Sequence, residues 1–101
     1  VDAEIDVEAV PVLDGARELA GAGAMPGGSR RNLDWVDGRL DRGGRDELDV
    51  LLLADAQTSG GLLFGAAPAA AHEALDRLEE TGHTASVIGR VAAGNGHLRL
   101  A

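Results

Sequence analysis

From Val1 to Val7 apolar and acidic residues alternate without a break, Val1, Ala3, Ile5 and Val7 against Asp2, Glu4 and Asp6. A period of two places the apolar set on one side of an extended chain, so this segment reads as a strand with one buried and one wet face. A strand of that kind needs neighbours beside it and a layer over its apolar side.

The remaining sequence supplies candidates for both. Pro11 ends the alternation, and Asp14 is placed to cap a short helix through Ala16, Leu19 and Ala20 that stops at Gly21 or Gly23. Residues 25–44 have poor periodicity: a Pro-Gly-Gly loop, a short turn around Leu33 to Val36, and a charged, glycine-rich stretch. They read as a long, partly ordered excursion, of the sort that is either functional or mobile. Asp46 and Glu47 favour the first turn of a helix carrying Leu48, Leu51 and Leu52, with a buried strand over residues 50–54 as the alternative. Residues 61–67, apolar and bounded by glycine and Pro68, suit a buried strand. Pro68 then opens the clearest helix. Its stripe is Ala71, Ala74, Leu75 and Leu78, Glu73 can pair with Arg77, and Gly82 closes it. Residues 84–91 and 97–100 read as strands joined by the turn Gly94-Asn95-Gly96, a terminal hairpin. Mixed elements without strict alternation predict an α+β fold, a mixed or antiparallel β-sheet covered by helices.

At 101 residues the chain fits one domain spanning residues 1–101. Aromatics make up 2% of it, so the core must come from Ala, Val, Leu and Ile, with Phe64 and Trp35 as isolated large groups and Trp35 a packing anchor for the excursion. A formal charge of -8 argues against nucleic acid and anionic membranes as partners. No apolar run approaches the roughly 18 residues of a membrane span, which makes a cytoplasmic address the default expectation.

The segment richest in chemistry is Asp55-Ala56-Gln57-Thr58-Ser59-Gly60-Gly61-Leu62-Leu63, a polar, glycine-closed loop between two apolar runs. Gly60 and Gly61 permit positive φ and close approach to the backbone, while Thr58 and Ser59 add hydroxyls, so an anion could sit there. The same residues also read as an ordinary turn between a helix and a strand. Arg30 and Arg31 after Gly27-Gly28 could meet phosphate, or be solvated surface. Asp2, Glu4 and Asp6 could hold a hard cation on one strand face, against the plainer reading of a wet face. His72, His83 and His97 lack metal-ligand spacing, and Ser29, Ser59 and Ser86 lack a nucleophile context, so neither a metal site nor a catalytic residue is assigned.

That loop resembles the Asp-(Pro or Ala)-Gln-Thr-Ser-Gly-Gly-Leu-Leu signature of selenophosphate synthetases, the selenide, water dikinases. Met25-Pro26-Gly27-Gly28-Ser29-Arg30-Arg31-Asn32 is similar to that family's Pro-Gly-Gly-Thr-x-x-Asn segment. Val87-Ile88-Gly89-Arg90-Val91 resembles a closing strand of the wider superfamily that includes aminoimidazole ribonucleotide synthetase. Ala56 stands where the family more often has Pro, and Ser29 where it often has Thr. The resemblance implies most of a C-terminal domain of a two-domain, ATP-dependent phosphotransferase that makes selenophosphate, AMP and phosphate from ATP, selenide and water. The implied N-terminal domain would be the main partner, would hold most of the ATP and Mg2+, and would carry the family's Cys or selenocysteine and Lys. A homodimer is implied for the whole protein, and this portion alone is expected to be inactive. Gln57, Thr58, Ser59, Gly60 and Gly61, with Gly27, Gly28, Ser29 and Asn32, are then the residues expected to face nucleotide or phosphate, or else to pack the domain interface. Another ATP-dependent synthetase of the superfamily, or a noncatalytic binding domain, are the alternatives.

Overall fold

In the computed structural model, which describes residues 1–101, the opening alternation becomes strand β1 (Asp2–Ile5). Three further strands flank it, β2 (Leu40–Asp41), β3 (Gly89–Ala92) and β4 (Leu98–Leu100), in the order β2-β4-β1-β3. β1 runs parallel to β4 and antiparallel to β3, and β2 is parallel to β4, so the sheet is mixed. The expected terminal hairpin does not form. β3 and β4 are consecutive in sequence, but β1 lies between them, because both can then bond to its two edges.

The register sorts the faces. Ile5 pairs with Leu100, and Ala3 and Leu40 both pair with Leu98, placing an apolar set on one side. Glu4 pairs with Arg99 and Arg90, and Asp41 with Arg99, placing charge on the other. Glu4 meets Arg90 at 2.8 Å and Arg99 at 3.5 Å, so the outer face is an ion-pair network.

Three helices lie on the apolar side. Helix α1 (Ala16–Gly21) starts from Gly15, whose φ of 79° only glycine adopts easily, so Asp14 is not its cap. α3 (Glu47–Leu53) is capped by Asp46, whose side chain accepts from the Asp49 N–H at 2.8 Å. Arg17 of α1 clamps the same end through Asp46 and Asp49. Between them is α2 (Gly27–Val36), continued by a 3-10 turn (Asp37–Arg39) into β2. This helix occupies half of the segment expected to be irregular, residues 25–44. Leu33, Val50, Leu51 and Leu100 form the buried core, with Ile5, Val7, Val36, Leu40 and Leu53 packed around it.

α4 (Pro68–Glu80) forms as the pattern predicts, with Pro68 at its start and Arg77 3.6 Å from Glu73. Nothing in α4 is buried. Residues 61–67 are not the buried strand the sequence suggested: they form no regular element, and all are exposed, Leu62 at 96%. Trp35, at 87% exposure, is not a packing anchor either.

Candidate functional site

Pro26 precedes α2 in an extended conformation, and Gly27 and Gly28 form its first turn, where their N–H groups have no acceptor within the chain. Ser29 follows, fully buried at 0% exposure. Its hydroxyl donates to Asp55 Oδ1 at 3.0 Å and accepts the Ala56 N–H at 3.2 Å. One turn on, Asn32 Nδ2 donates to the Ala54 carbonyl at 3.0 Å. A Cβ at Gly28 would lie 2.7 Å from the Ala56 Cβ, so only glycine lets the two backbones approach this closely. The Pro-Gly-Gly segment and the root of the Gln-Thr-Ser-Gly-Gly loop, separated by more than twenty residues in sequence, therefore meet as one unit.

Beyond Ala56 the loop turns outward. Gln57, Thr58, Ser59, Gly60 and Gly61 are exposed, with no hydrogen bond to the rest of the chain. Gly60 packs under Gln57, whose Oε1 would stand 2.7 Å from an added Cβ. None of Gly27, Gly28, Gly60 or Gly61 uses a positive φ. Small size, not access to left-handed conformations, matters at Gly28, where a side chain would collide with Ala56, whereas at Gly60 the exposed Gln57 side chain can swing aside. The Arg31 guanidinium folds back towards the first turn of α2, Nη1 3.5 Å from where a Gly27 Cβ would stand, while Arg30 reaches Glu47 at 3.4 Å. No acidic side chain occupies that first turn. The positive end of the helix thus has an arginine beside Gly27, no acidic residue of its own, and the Asp55 carboxylate held on Ser29 at the third position.

An open cleft of about 410 Å³ adjoins this unit, floored by Ile5, Leu98 and Leu100 of the sheet and walled by Leu33, Val36 and Val50. Asn32 and Asp55 are its polar lining.

The other candidates are committed elsewhere. Asp2 Oδ1 accepts from the N–H groups of Asn95, Gly96 and His97 at 2.8, 3.0 and 2.9 Å, Glu4 is held by Arg90 and Arg99, and Asp6 accepts from the Glu8 N–H. The acidic face of β1 is therefore not a cation site. His72 bonds the Pro68 carbonyl, His83 bonds Thr81, and His97 lies beside Asp2, each in a different part of the fold. Sequence reasoning missed the role of Asp55 as the partner of Ser29, although both residues stand inside the two glycine motifs.

Residues 1–100 match the family described as AIR synthase related protein, C-terminal domain. The chain belongs to this family. Among curated relatives, a protein named selenide, water dikinase from Carboxydothermus hydrogenoformans is 37% identical over 97 residues, covering 95% of this chain and 28% of the relative. The protein of the same name from Caldanaerobacter subterraneus subsp. tengcongensis is 37% identical over 92 residues, covering 90% and 27%. That from Escherichia coli strain K12 is 38% identical over 99 residues, covering 95% and 27%. The chain spans just over a quarter of the length of these relatives. Membership in the AIR synthase related family agrees with the mixed sheet and its helical layer, the α+β fold expected from the sequence.

Proposed function

We propose that these 101 residues are most of the C-terminal domain of a selenophosphate synthetase, a selenide, water dikinase, acting with an N-terminal ATP-binding domain. Relatives carrying that name match 95% of the chain at 37–38% identity, which supports the substrate assignment of ATP and selenide. The observation that carries the site is the joining of the two glycine motifs through Ser29, Asp55 and Ala56. On this reading the Gly27 and Gly28 N–H groups, the Arg31 guanidinium and the Thr58 and Ser59 hydroxyls face the ATP-binding domain and enclose its phosphates or the intermediate. Free N–H groups at a helix start, the helix dipole and an arginine all favour an anion, and a domain boundary that excludes water strengthens each contact.

ATP supplies the phosphoryl group, and this chain's part is to bind, orient and shield it. On this reading ATP and Mg2+ are held mainly by the N-terminal domain, as the family resemblance implies. A homodimer and a cytoplasmic location complete the reading.

The test is selenide-dependent AMP formation by the full-length protein, with and without the double replacement Thr58→Ala and Ser59→Ala. Loss of about tenfold or more in kcat is expected from removing two donors at a charged centre. Unchanged turnover would make the loop scaffold. ATP turnover indifferent to selenide would point to another synthetase of the family, and absence of ATP binding to a noncatalytic domain.

A further inference from the structure

We propose that Ser29 is a positioning residue, a buried clasp that sets where the Gln57–Gly61 loop stands above the first turn of α2; this rests on the phosphate-facing role given to that loop above. The hydrogen bond from the Ala56 N–H to Ser29 Oγ is the last one along the chain before the Ala71 N–H bonds Ala67 at the start of α4. No hydrogen bond between these points ties the backbone to the body of the domain, so the Gln57–Gly61 loop takes its position from its root. That root is held three ways: by the Ser29 hydroxyl through Asp55 and Ala56, by Asn32 on the Ala54 carbonyl, and by the close approach that Gly28 allows to Ala56.

Ser29 itself has no access to a ligand, since it is completely buried and already uses its hydroxyl as donor and acceptor. It acts through the loop. Without the hydroxyl, Asp55 Oδ1 and the Ala56 N–H lose their partner, and both turn to water, carrying the loop away from the free N–H groups of Gly27 and Gly28. A threonine keeps the hydroxyl and restores the clasp.

The experiment uses the full-length protein with Ser29→Ala, Ser29→Thr, Gly28→Ala, Ala56→Gly, and Gly28→Ala combined with Ala56→Gly. Two quantities are read: kcat and KM for ATP in selenide-dependent AMP formation, and hydrogen exchange of the peptide containing the Ala56 amide. Ser29→Ala is expected to lower kcat about tenfold, the scale of one lost hydrogen bond, and to speed exchange, with Ser29→Thr restoring both. Gly28→Ala should do the same by steric displacement, and Ala56→Gly should relieve it. Unchanged exchange in Ser29→Ala, or failure of threonine to restore it, overturns the clasp. Should Ser29→Ala fail to fold, the Gly28 and Ala56 pair decides, since additive effects of those two changes also overturn it. If the unaltered protein forms no AMP with selenide, the functional reading falls, and the exchange measurements still decide the clasp on their own.

Discussion

Asp2 lies at the mouth of the turn formed by residues 94–97, where a single carboxylate oxygen collects three backbone N–H groups. Its pKa is lowered, first by the His97 N–H, against partial burial, and then by the N–H groups of Asn95 and Gly96 and the charge of His97. The folded state therefore favours the ionised form. Its stabilising contribution is complete above the unfolded carboxyl's pKa of about 3.9 and is lost as pH falls through the lower folded value. Melting temperature measured from pH 6 down to pH 2 should fall more steeply for the wild type than for Asp2→Asn. Superimposable curves would mean that the turn stands without the charge. The alternation showed that Asp2 would sit on the wet face of a strand; that it would hold a turn more than ninety residues away depends on the strand order.

Helix α2 shows why an element can escape sequence reading. Gly27 and Gly28 at its start are poor helix formers, and no side chain caps it. What stabilises it is tertiary: Leu33 enters the core, Val36 packs beside it, and Ser29 and Asn32 bond residues 54–56. The helices that were legible, α3 and α4, carry their signals locally, in the Asp46 cap and in the Pro68 start with its apolar stripe. Strand β4 was legible too, and β3 in part, since residues 84–88 of the expected strand form no regular element, but their pairing was not, because a turn signal at residues 94–96 says only that the chain bends. A contact with β1 makes the difference testable. Gly89 lies so close to the Glu4 carbonyl that a Cβ there would collide with backbone. Gly89→Ala should destabilise the protein by about 1–3 kcal/mol in chemical denaturation. A hairpin of β3 with β4 would have no reason to care.

Only six of the 101 residues are buried, and Leu62, Leu63, Phe64, Val87 and Val91 are all more than half exposed. Gly65 approaches the Val91 side chain, which brings this part of residues 61–67 close to β3. Contiguous apolar exposure of this kind marks an interaction surface. In the proposed two-domain protein it is where the rest of the polypeptide would pack. Leu62→Ser with Phe64→Ser should therefore raise the solubility of the 101-residue chain with little change in its melting temperature, yet lower the melting temperature of the full-length protein. Equal melting temperatures for the altered and unaltered full-length proteins would remove this surface from the interface. The expectation of a buried strand over residues 61–67 failed because apolar composition reports that a segment seeks cover, and this chain by itself provides none.

By itself the sequence determined the period-two strand, the capped and amphipathic helices, the α+β class and the two glycine motifs, since each is written in neighbouring residues whose spacing fixes local geometry. The tertiary structure decided the rest. Strand order, the helical state of residues 27–36, the anchoring of the distant turn by Asp2 and the meeting of Ser29 with Asp55 and Ala56 all depend on contacts between segments far apart in the chain. Such contacts are chosen by how one apolar sheet face is covered and how each buried polar group finds a partner, and no local pattern encodes that choice.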